Sequence, residues 1–320
     1  MNCNMQLNRV FFSVVIPLYN KRNAIIRTIQ SVLAQTYQDF ELIVVDDGST
    51  DDSFSVVSSV YDRRIRLIHK ENGGVSSARN AGIKAAKYHF VALLDGDDYW
   101  DSTFLEEQLT LIEVFPQAGI WGVNYAFVKG DRCEPCDQDI GIGYRGYVEG
   151  YFASSHNDLF CSSSVVIRKE VFENVGYFDE RIASSEDLDM WYRIILHYPV
   201  VYYDKVLAYY NQNAENRVAY DTDVRFPLTK DIKYYIDKFD EDFKCNKVFS
   251  HYLNSRVAAD LLIEGYYFGT SQERKDADHV VSLLQYSDIH PKYRWIFKTP
   301  RWFGWIVYKI VTLKKAIARG

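Results

Sequence analysis

The first hundred residues carry four apolar runs of strand length, and this pattern constrains the chain more than any other feature. The runs are "FSVVIP", "ELIVV", "RIRLIH" and "FVALL". Helical spacing fills the gaps between them. Residues 23–34 place Ile25, Ile26, Ile29, Val32 and Leu33 on one helical face. "SFSVVSSVY" reads as a short helix, and "GVSSARNAGIKAAK" as an Ala-rich helix opened by a Gly73-Gly74 turn. Continuous apolar strands alternating with helices predict a parallel sheet covered on both faces. Ligands in such sheets bind outside the carboxyl ends of the strands. Those ends carry Tyr19 and Asn20 after the first strand and Asp46 and Asp47 after the second. After the fourth come Asp95, Gly96, Asp97 and Asp98.

The later chain is mixed. "TFLEEQLTLIEVF" is helical and "IWGVNYAFV" strand-like, while residues 129–160 are rich in Gly and polar residues and read as a mobile excursion. "SSVVIRKEVFENVGYFDE" reads as strand, short helix and turn. "SSEDLDMWYRIILHY" reads as a helix with Ser184 or Ser185 as its N-cap and Glu186 and Asp187 in the first turn. "VVYYDKVLAYY" is a further strand. From about residue 226 the strand runs cease and the pattern turns helical. Wound as a helix, "TPRWFGWIVYKIVTLKKAIARG" gathers Trp302, Phe303, Ile306, Val307 and Ile310 on one side, with Arg301, Lys309, Lys315 and Arg319 opposite. A basic amphipathic helix edged with Trp fits an anionic membrane surface. A terminal helix docked on its own domain is the competing reading.

With 320 residues, 48% of them hydrophobic, the chain can bury one large core or two smaller ones. A net charge of -6 argues against nucleic acid as a partner. Five cysteines with one CxxC, Cys133 and Cys136, fit a reducing compartment, and a plain loop outweighs a metal site there. The apolar stretch "VFFSVVIP" is short, stops at Pro17 and lacks a small-residue cleavage site, so it does not read as a signal peptide. No stretch is long and apolar enough to span a bilayer.

Asp and Gly favour turns, and Asp98 taken alone reads as a helix cap. The company of the cluster suggests otherwise. Several carboxylates with no basic residue beside them in sequence suit Mg²⁺ or Mn²⁺, which takes oxygen ligands and shares coordination with phosphate. A nucleotide-diphosphate substrate follows. No Walker A loop and no GxGxxG after the first strand support other nucleotide chemistry.

Four ordered blocks then resemble the family 2 inverting glycosyltransferases of the GT-A fold. They are "FSVVIPLYNKRNAIIRTIQSVLAQTYQDFELIVVDDGSTDDS", "NGGVSSARNAGIKAAK", "LLDGDDYW" and "GYFDERIASSEDLDMWYRI". The likeness runs over roughly residues 12–210. It implies an α/β, Rossmann-like nucleotide-binding sheet flanked by helices, with a helical C-terminal extension. Residues 1–110 would be the nucleotide-sugar half, 111–225 the acceptor and catalytic half, and 226–320 the extension. Asp97 would bind Mn²⁺ or Mg²⁺, and Asp95 the metal's water or the ribose. Pro17, Tyr19 and Asn20 match the loop under the base, where Tyr19 either stacks or simply packs at a strand end. Asp46 and Asp47 match the acids that accept a hydrogen bond from the base. Otherwise they form a turn before a helix at 51, capped by Ser49 or Thr50. Asn72 and Arg79 match a segment lining the same pocket, with Arg79 either on the ligand or paired to Asp46 or Asp47. Asp187 matches the catalytic base. Glu186 lies about 100° around the helix, so one of the two points at the acceptor. Trp191, a turn on, is either an acceptor platform or core.

The chain departs from the family twice. It lacks the QxxRW element of processive synthases, which implies single transfers. Asn211 and Asn213 stand where many relatives carry Tyr-Arg-x-His, with Arg217 as a substitute. The expected enzyme moves one sugar from a nucleotide-sugar, UDP by family default, to a glycan or lipid-linked acceptor in surface polysaccharide synthesis. Its expected place is the cytoplasm, peripheral on the membrane if residues 300–319 bind there. A nucleotidyltransferase would need a Gly-rich loop that "PLYNKRN" lacks. A catalytically silent binding protein would have no need to keep Asp95, Asp97 and Asp187 in one cleft.

Overall fold

A computed structural model describes residues 9–138, 140–153, 159–182 and 186–213. Almost all of them belong to one compact unit, Met1–Tyr151 with Ser155–Tyr220. The expected helical extension, the amphipathic segment 300–319, Arg217, Ser184 and Ser185 lie outside the described residues.

The elements in chain order are β1 (Phe12–Leu18), α1 (Ile25–Leu33), β2 (Phe40–Asp46), α2 (Ser53–Ser58), β3 (Ile65–His69), α3 (Val75–Ala85) and β4 (Phe90–Leu93). Then follow β5 (Tyr99–Trp100), α4 (Phe104–Val114), β6 (Ile120–Lys129), β7 (Arg132–Pro135), β8 (Arg145–Tyr147), β9 (Val165–Arg168), α5 (Lys169–Val175), α6 (Glu186–His197) and β10 (Val200–Asn211). Among the described residues the strands form one sheet in the order β3-β2-β1-β4-β9-β6-β10-β5, with β7 on β6 and β8 on β10.

The first four strands pair in parallel, as their apolar character requires. Every residue of β1 and β2 is buried, because helices cover both faces. β3 lies at the edge and is half-buried, which explains the alternation of "RIRLIH". Fully burying side chains such as Phe12, Ile16 and Leu42 contributes about 1.5–3 kcal/mol each.

The sheet is mixed, not parallel throughout. β9 runs antiparallel to both β4 and β6, while β10 is parallel to β6. The span 129–160 also carries more structure than its composition suggests. Gly130 and Asp131 form a two-residue hairpin, with Lys129 opposite Arg132 and Gly130 at φ 58°, so β7 folds back on β6. β8 joins the other side of β10.

Pro17 lies inside β1, not in the loop after it. A proline in a central strand forfeits a ladder hydrogen bond. The register shows why it is tolerated. Val15 accepts from the Leu94 amide, and Pro17 shares its parity, so its nitrogen faces the β4 side just beyond the point where β4 ends. Nothing in the ladder is lost there.

Candidate active site

Three strand ends bring the candidate residues together. After β1, Tyr19 is 44% exposed, so packing at a strand end does not account for it. Asn20 takes φ 50°, a left-handed conformation that Asn tolerates. Its Oδ1 accepts from the Thr50 amide at 2.8 Å and the Asp51 amide at 3.3 Å, and its own amide donates to Ser49 Oγ at 3.0 Å. Asn20 therefore holds the loop after β2. Ser49 and Thr50 are used in that contact and do not cap α2. The helix begins at Ser53, whose amide donates to Asp51 Oδ1 at 2.9 Å.

Asp46 and Asp47 are buried. Asp46 Oδ2 sits 2.7 Å from His69 Nδ1, and its Oδ1 receives the Ser49 amide at 3.3 Å. Asp47 accepts from Lys70 Nζ at 2.6 Å and from the Gly73 and Gly74 amides at 3.0 and 2.8 Å. It thereby fixes the glycine turn that opens α3. Neither acid pairs with Arg79. Asn72 is exposed, its backbone packed against Gly48.

The loop after β4 is held from all sides. A Cβ on Gly96 would lie 2.9 Å from the Pro17 carbonyl oxygen, so no larger residue fits. Thr28 Oγ1 donates to the Asp98 carbonyl at 2.7 Å. The acids have basic partners supplied by the fold, contrary to their sequence neighbourhood. Asp97 Oδ2 lies 2.7 Å from Lys21 Nζ, and Asp95 Oδ1 lies 2.7 Å from Arg79 Nη2. Asp98 caps no helix; α4 starts at Phe104, after Asp101 accepts from the Thr103 amide. Asp98 is buried, receiving Ser163 Oγ at 2.5 Å and the Asn211 amide at 2.9 Å. Ser163 Oγ also accepts from the Asp95 amide at 3.1 Å. Burial, reinforced by Asp97 and Asp95, pushes the Asp98 carboxyl well above the usual carboxylate range. Asp98 thus joins the acidic loop to the end of β10.

Arg79 is 3% exposed and spans two elements. Its Nη2 holds Asp95, and its Nη1 donates to Glu186 Oε1 at 2.7 Å, at the start of α6. Burial alone would lower its pKa, but Asp95 and Glu186 outweigh it and raise the pKa. Glu186 is committed to this guanidinium. Asp187, the next residue, is turned about 100° around the helix. Below it, Asp189 is fully buried and binds Arg193, which donates to the carbonyls of Val175, Gly176 and Tyr177. This ties α6 to the turn after α5. Trp191 is fully buried, its ring 6.4 Å from Phe160 and 6.2 Å from Phe178, so it is core and not an exposed platform.

Among the described residues, no three His, Cys, Asp or Glu side chains gather closely enough to hold a metal ion alone. One or two hard carboxylates are nevertheless what Mg²⁺ takes from a protein when phosphate oxygens and water complete its shell. Asp97 and Asp95 fit that donor set. Cys133 and Cys136 do not. Cys133 lies in extended β7 with Cys136 next after it, a span of about 10 Å at strand rise, too long for a disulfide. Burial raises the Cys161 thiol well above its ordinary value.

Lys21, Thr28 and Ser163 belong to the site without having been singled out in the sequence. Lys21 directly follows Asn20 in "PLYNKRN", and that adjacency was the available signal. Ser163 sits in "CSSS", which signals nothing.

The profile described as Glycosyl transferase family 2 matches residues 13–176. An uncharacterized glycosyltransferase of Rickettsia felis is 30% identical over 207 residues, 61% of this chain and 33% of that protein. The chain spans about a third of the length of three such rickettsial relatives. The Escherichia coli protein named UDP-Glc:alpha-D-GlcNAc-diphosphoundecaprenol beta-1,3-glucosyltransferase WfaP is 41% identical over 189 residues, 57% of this chain and 69% of its own. Among solved structures, S. aureus TarS 1-349 in complex with UDP-GlcNAc superposes with a TM-score of 0.72 at 19% identity, covering 89% of this chain and 85% of that one. That likeness is one of fold: a mixed sheet flanked by helices, of GT-A type. No helix among the described residues is long and apolar enough to cross a membrane.

Proposed function

The chain belongs to glycosyl transferase family 2, and we propose that it moves one sugar, with inversion, from a UDP-sugar to a hydroxyl of a glycan or lipid-linked acceptor. The observation that carries this reading is the Arg79 bridge. One buried guanidinium holds both Asp95, on the loop suited to a diphosphate, and Glu186, beside Asp187. A carboxylate able to accept a proton is thereby kept next to the donor loop.

The chemistry follows from that placement. Asp187 takes the proton of the acceptor hydroxyl as its oxygen bonds to the anomeric carbon. The bond from that carbon to the diphosphate breaks on the opposite face, and the diphosphate leaves with the electron pair. Asp187 ends protonated, and the sugar is inverted. No covalent intermediate forms, so no nucleophilic side chain is required. Asp97 and Asp95 would hold Mn²⁺ or Mg²⁺, which supplies charge neutralisation for the leaving diphosphate. Tyr19 offers an exposed ring to the base at the strand end. Asn20 and Asp47 hold the surrounding loops through hydrogen bonds to backbone amides. Asp46 keeps its place through His69.

The WfaP name and the UDP-GlcNAc in the TarS structure support a UDP-sugar as donor and a diphosphate-lipid glycan as acceptor. Such an acceptor suits work at the cytoplasmic face of a membrane. Calorimetric titration with a panel of nucleoside diphosphates, with Mn²⁺ and with EDTA, tests the reading. The expected result is metal-dependent binding of UDP that Asp97→Asn abolishes. Absence of binding by every nucleoside diphosphate in the presence of metal would overturn it.

A further inference from the structure

The Lys21–Asp97 pair is built into the fold. The Lys21 amide donates to Ser53 Oγ at 2.8 Å, and its carbonyl accepts from the Ala24 and Ile25 amides at 3.0 Å each. The stem runs beside the acidic loop, where a Cβ on Gly96 would lie 3.8 Å from Lys21 Cγ. The ammonium then sits 2.7 Å from Asp97 Oδ2, with the two side chains 16% and 15% exposed. A charge-assisted hydrogen bond this sheltered is strong for a lysine contact.

Resting on the donor-site reading above, we propose that Lys21 is a resident counter-cation of Asp97. It competes with the divalent metal and passes to the donor's diphosphate when metal and nucleotide bind together. A divalent ion taking Asp97 Oδ2 must displace the ammonium. The other acids of the loop do not offer it an equal place: Asp95 holds Arg79, and Asp98 is buried on Ser163 and Asn211. The diphosphate does. Ligands of one octahedral ion stand about 3 Å apart, so a phosphate oxygen sharing a metal with Asp97 is within a small swing of the lysine stem. The displaced charge then favours the nucleotide. Metal and nucleotide are thereby coupled: metal alone binds poorly, and the pair binds well. The device also keeps Asp97 neutralised between turnovers, in a sheltered loop where a bare carboxylate is costly.

Two affinities measured on the full chain test this. Mn²⁺ binding without nucleotide is read by electron paramagnetic resonance of the free ion, and UDP binding at saturating Mn²⁺ by calorimetry. In Lys21→Met, Mn²⁺ alone binds about tenfold tighter, the size of one charge-assisted hydrogen bond, while UDP binds about tenfold weaker. Structural damage would weaken both, so the opposite signs are diagnostic. Lys21→Gln gives the same pattern should the methionine variant fold poorly, and Lys21→Arg keeps both affinities near wild type. Unchanged or weaker Mn²⁺ binding in Lys21→Met, with Mn²⁺ lost in Asp97→Asn, overturns the lysine exchange and leaves the donor site standing. Wild-type Mn²⁺ binding in Asp97→Asn removes the metal from that carboxylate and overturns both.

Discussion

Replacing Arg79 by Met tests whether one side chain joins the two halves of the chemistry. The guanidinium is 3% exposed, while the side chains of Asp95 and Glu186 are 27% and 12% exposed. Breaking a buried ion pair from one side costs about 3–5 kcal/mol, because a charge stays behind without its partner. Here two carboxylates are stranded, but Asp95 is open enough to rehydrate, which discounts the loss to about 2–3 kcal/mol. In a unit of this size each kcal/mol shifts the midpoint by about 2–4 °C, so Arg79→Met melts roughly 5–10 °C below wild type. The catalytic effect is separate. Without the bridge the start of α6 is no longer fixed against the donor loop, and a misplacement of about 1 Å costs about a hundredfold in kcat/KM. Thermal melts and steady-state kinetics measure the two losses. The Arg79→Met/Glu186→Gln double variant supplies the control: removing one stranded charge restores part of the melting temperature and none of the activity. Melting within about 1 °C of wild type with kcat/KM unchanged would refute the bridge.

Further outcomes follow from single contacts. Asp187→Asn lowers kcat by about a thousandfold and leaves UDP affinity unchanged, as expected for loss of a general base. Glu186→Gln stays within about tenfold of wild-type kcat, since its amide oxygen still accepts from Arg79; a reversed ranking would move the base to Glu186. Asp98→Ala leaves the Asn211 amide and the Ser163 hydroxyl without their acceptor and destabilises by about 1–3 kcal/mol for each. Asp98→Asn keeps the Asn211 contact through its oxygen and meets Ser163 Oγ with its NH2 as donor, and recovers most of that stability in a denaturant titration. Gly96→Ala forces a backbone shift against the Pro17 carbonyl, destabilises by about 1–3 kcal/mol and weakens UDP binding in calorimetry.

The parallel half of the sheet was legible because burial on both faces writes itself into composition. β1 and β2 are buried at every position, so "FSVVIPL" and "FELIVVD" admit few other roles. Strand direction leaves no such mark. β9 is as apolar as β4, and local pattern cannot tell that it enters the sheet the other way. The short strands were hidden for a different reason. β7 is exposed at all four residues, "RCEP", and forms because the Gly130-Asp131 hairpin returns it to β6. Its polarity made it read as loop.

The site was legible in its carboxylates and not in their partners, and the cause is geometric. A sequence shows which charges are neighbours along the chain, whereas compensation acts through space. Asp95 to Asp98 stand without a basic residue among them, yet Lys21 reaches Asp97 from 76 residues away and Arg79 reaches Asp95 from 16. The fold sets a side-chain cation against each of Asp95 and Asp97, beside whatever metal the loop takes with a phosphate. The same geometry separates the adjacent acids of α6. The family resemblance matches Asp187 to the catalytic base, and helix periodicity implies that only one of Glu186 and Asp187 faces the acceptor. Arg79 holds Glu186, its Nη1 donating to Oε1 at 2.7 Å, which supports Asp187 as the proposed base. Asp46 and Asp47 are held elsewhere, by His69, by Lys70 and by the glycine turn that opens α3. Asp187 itself accepts from the Leu188 amide at 2.8 Å, and its proposed role as base rests on its place beside Glu186, which Arg79 ties to Asp95.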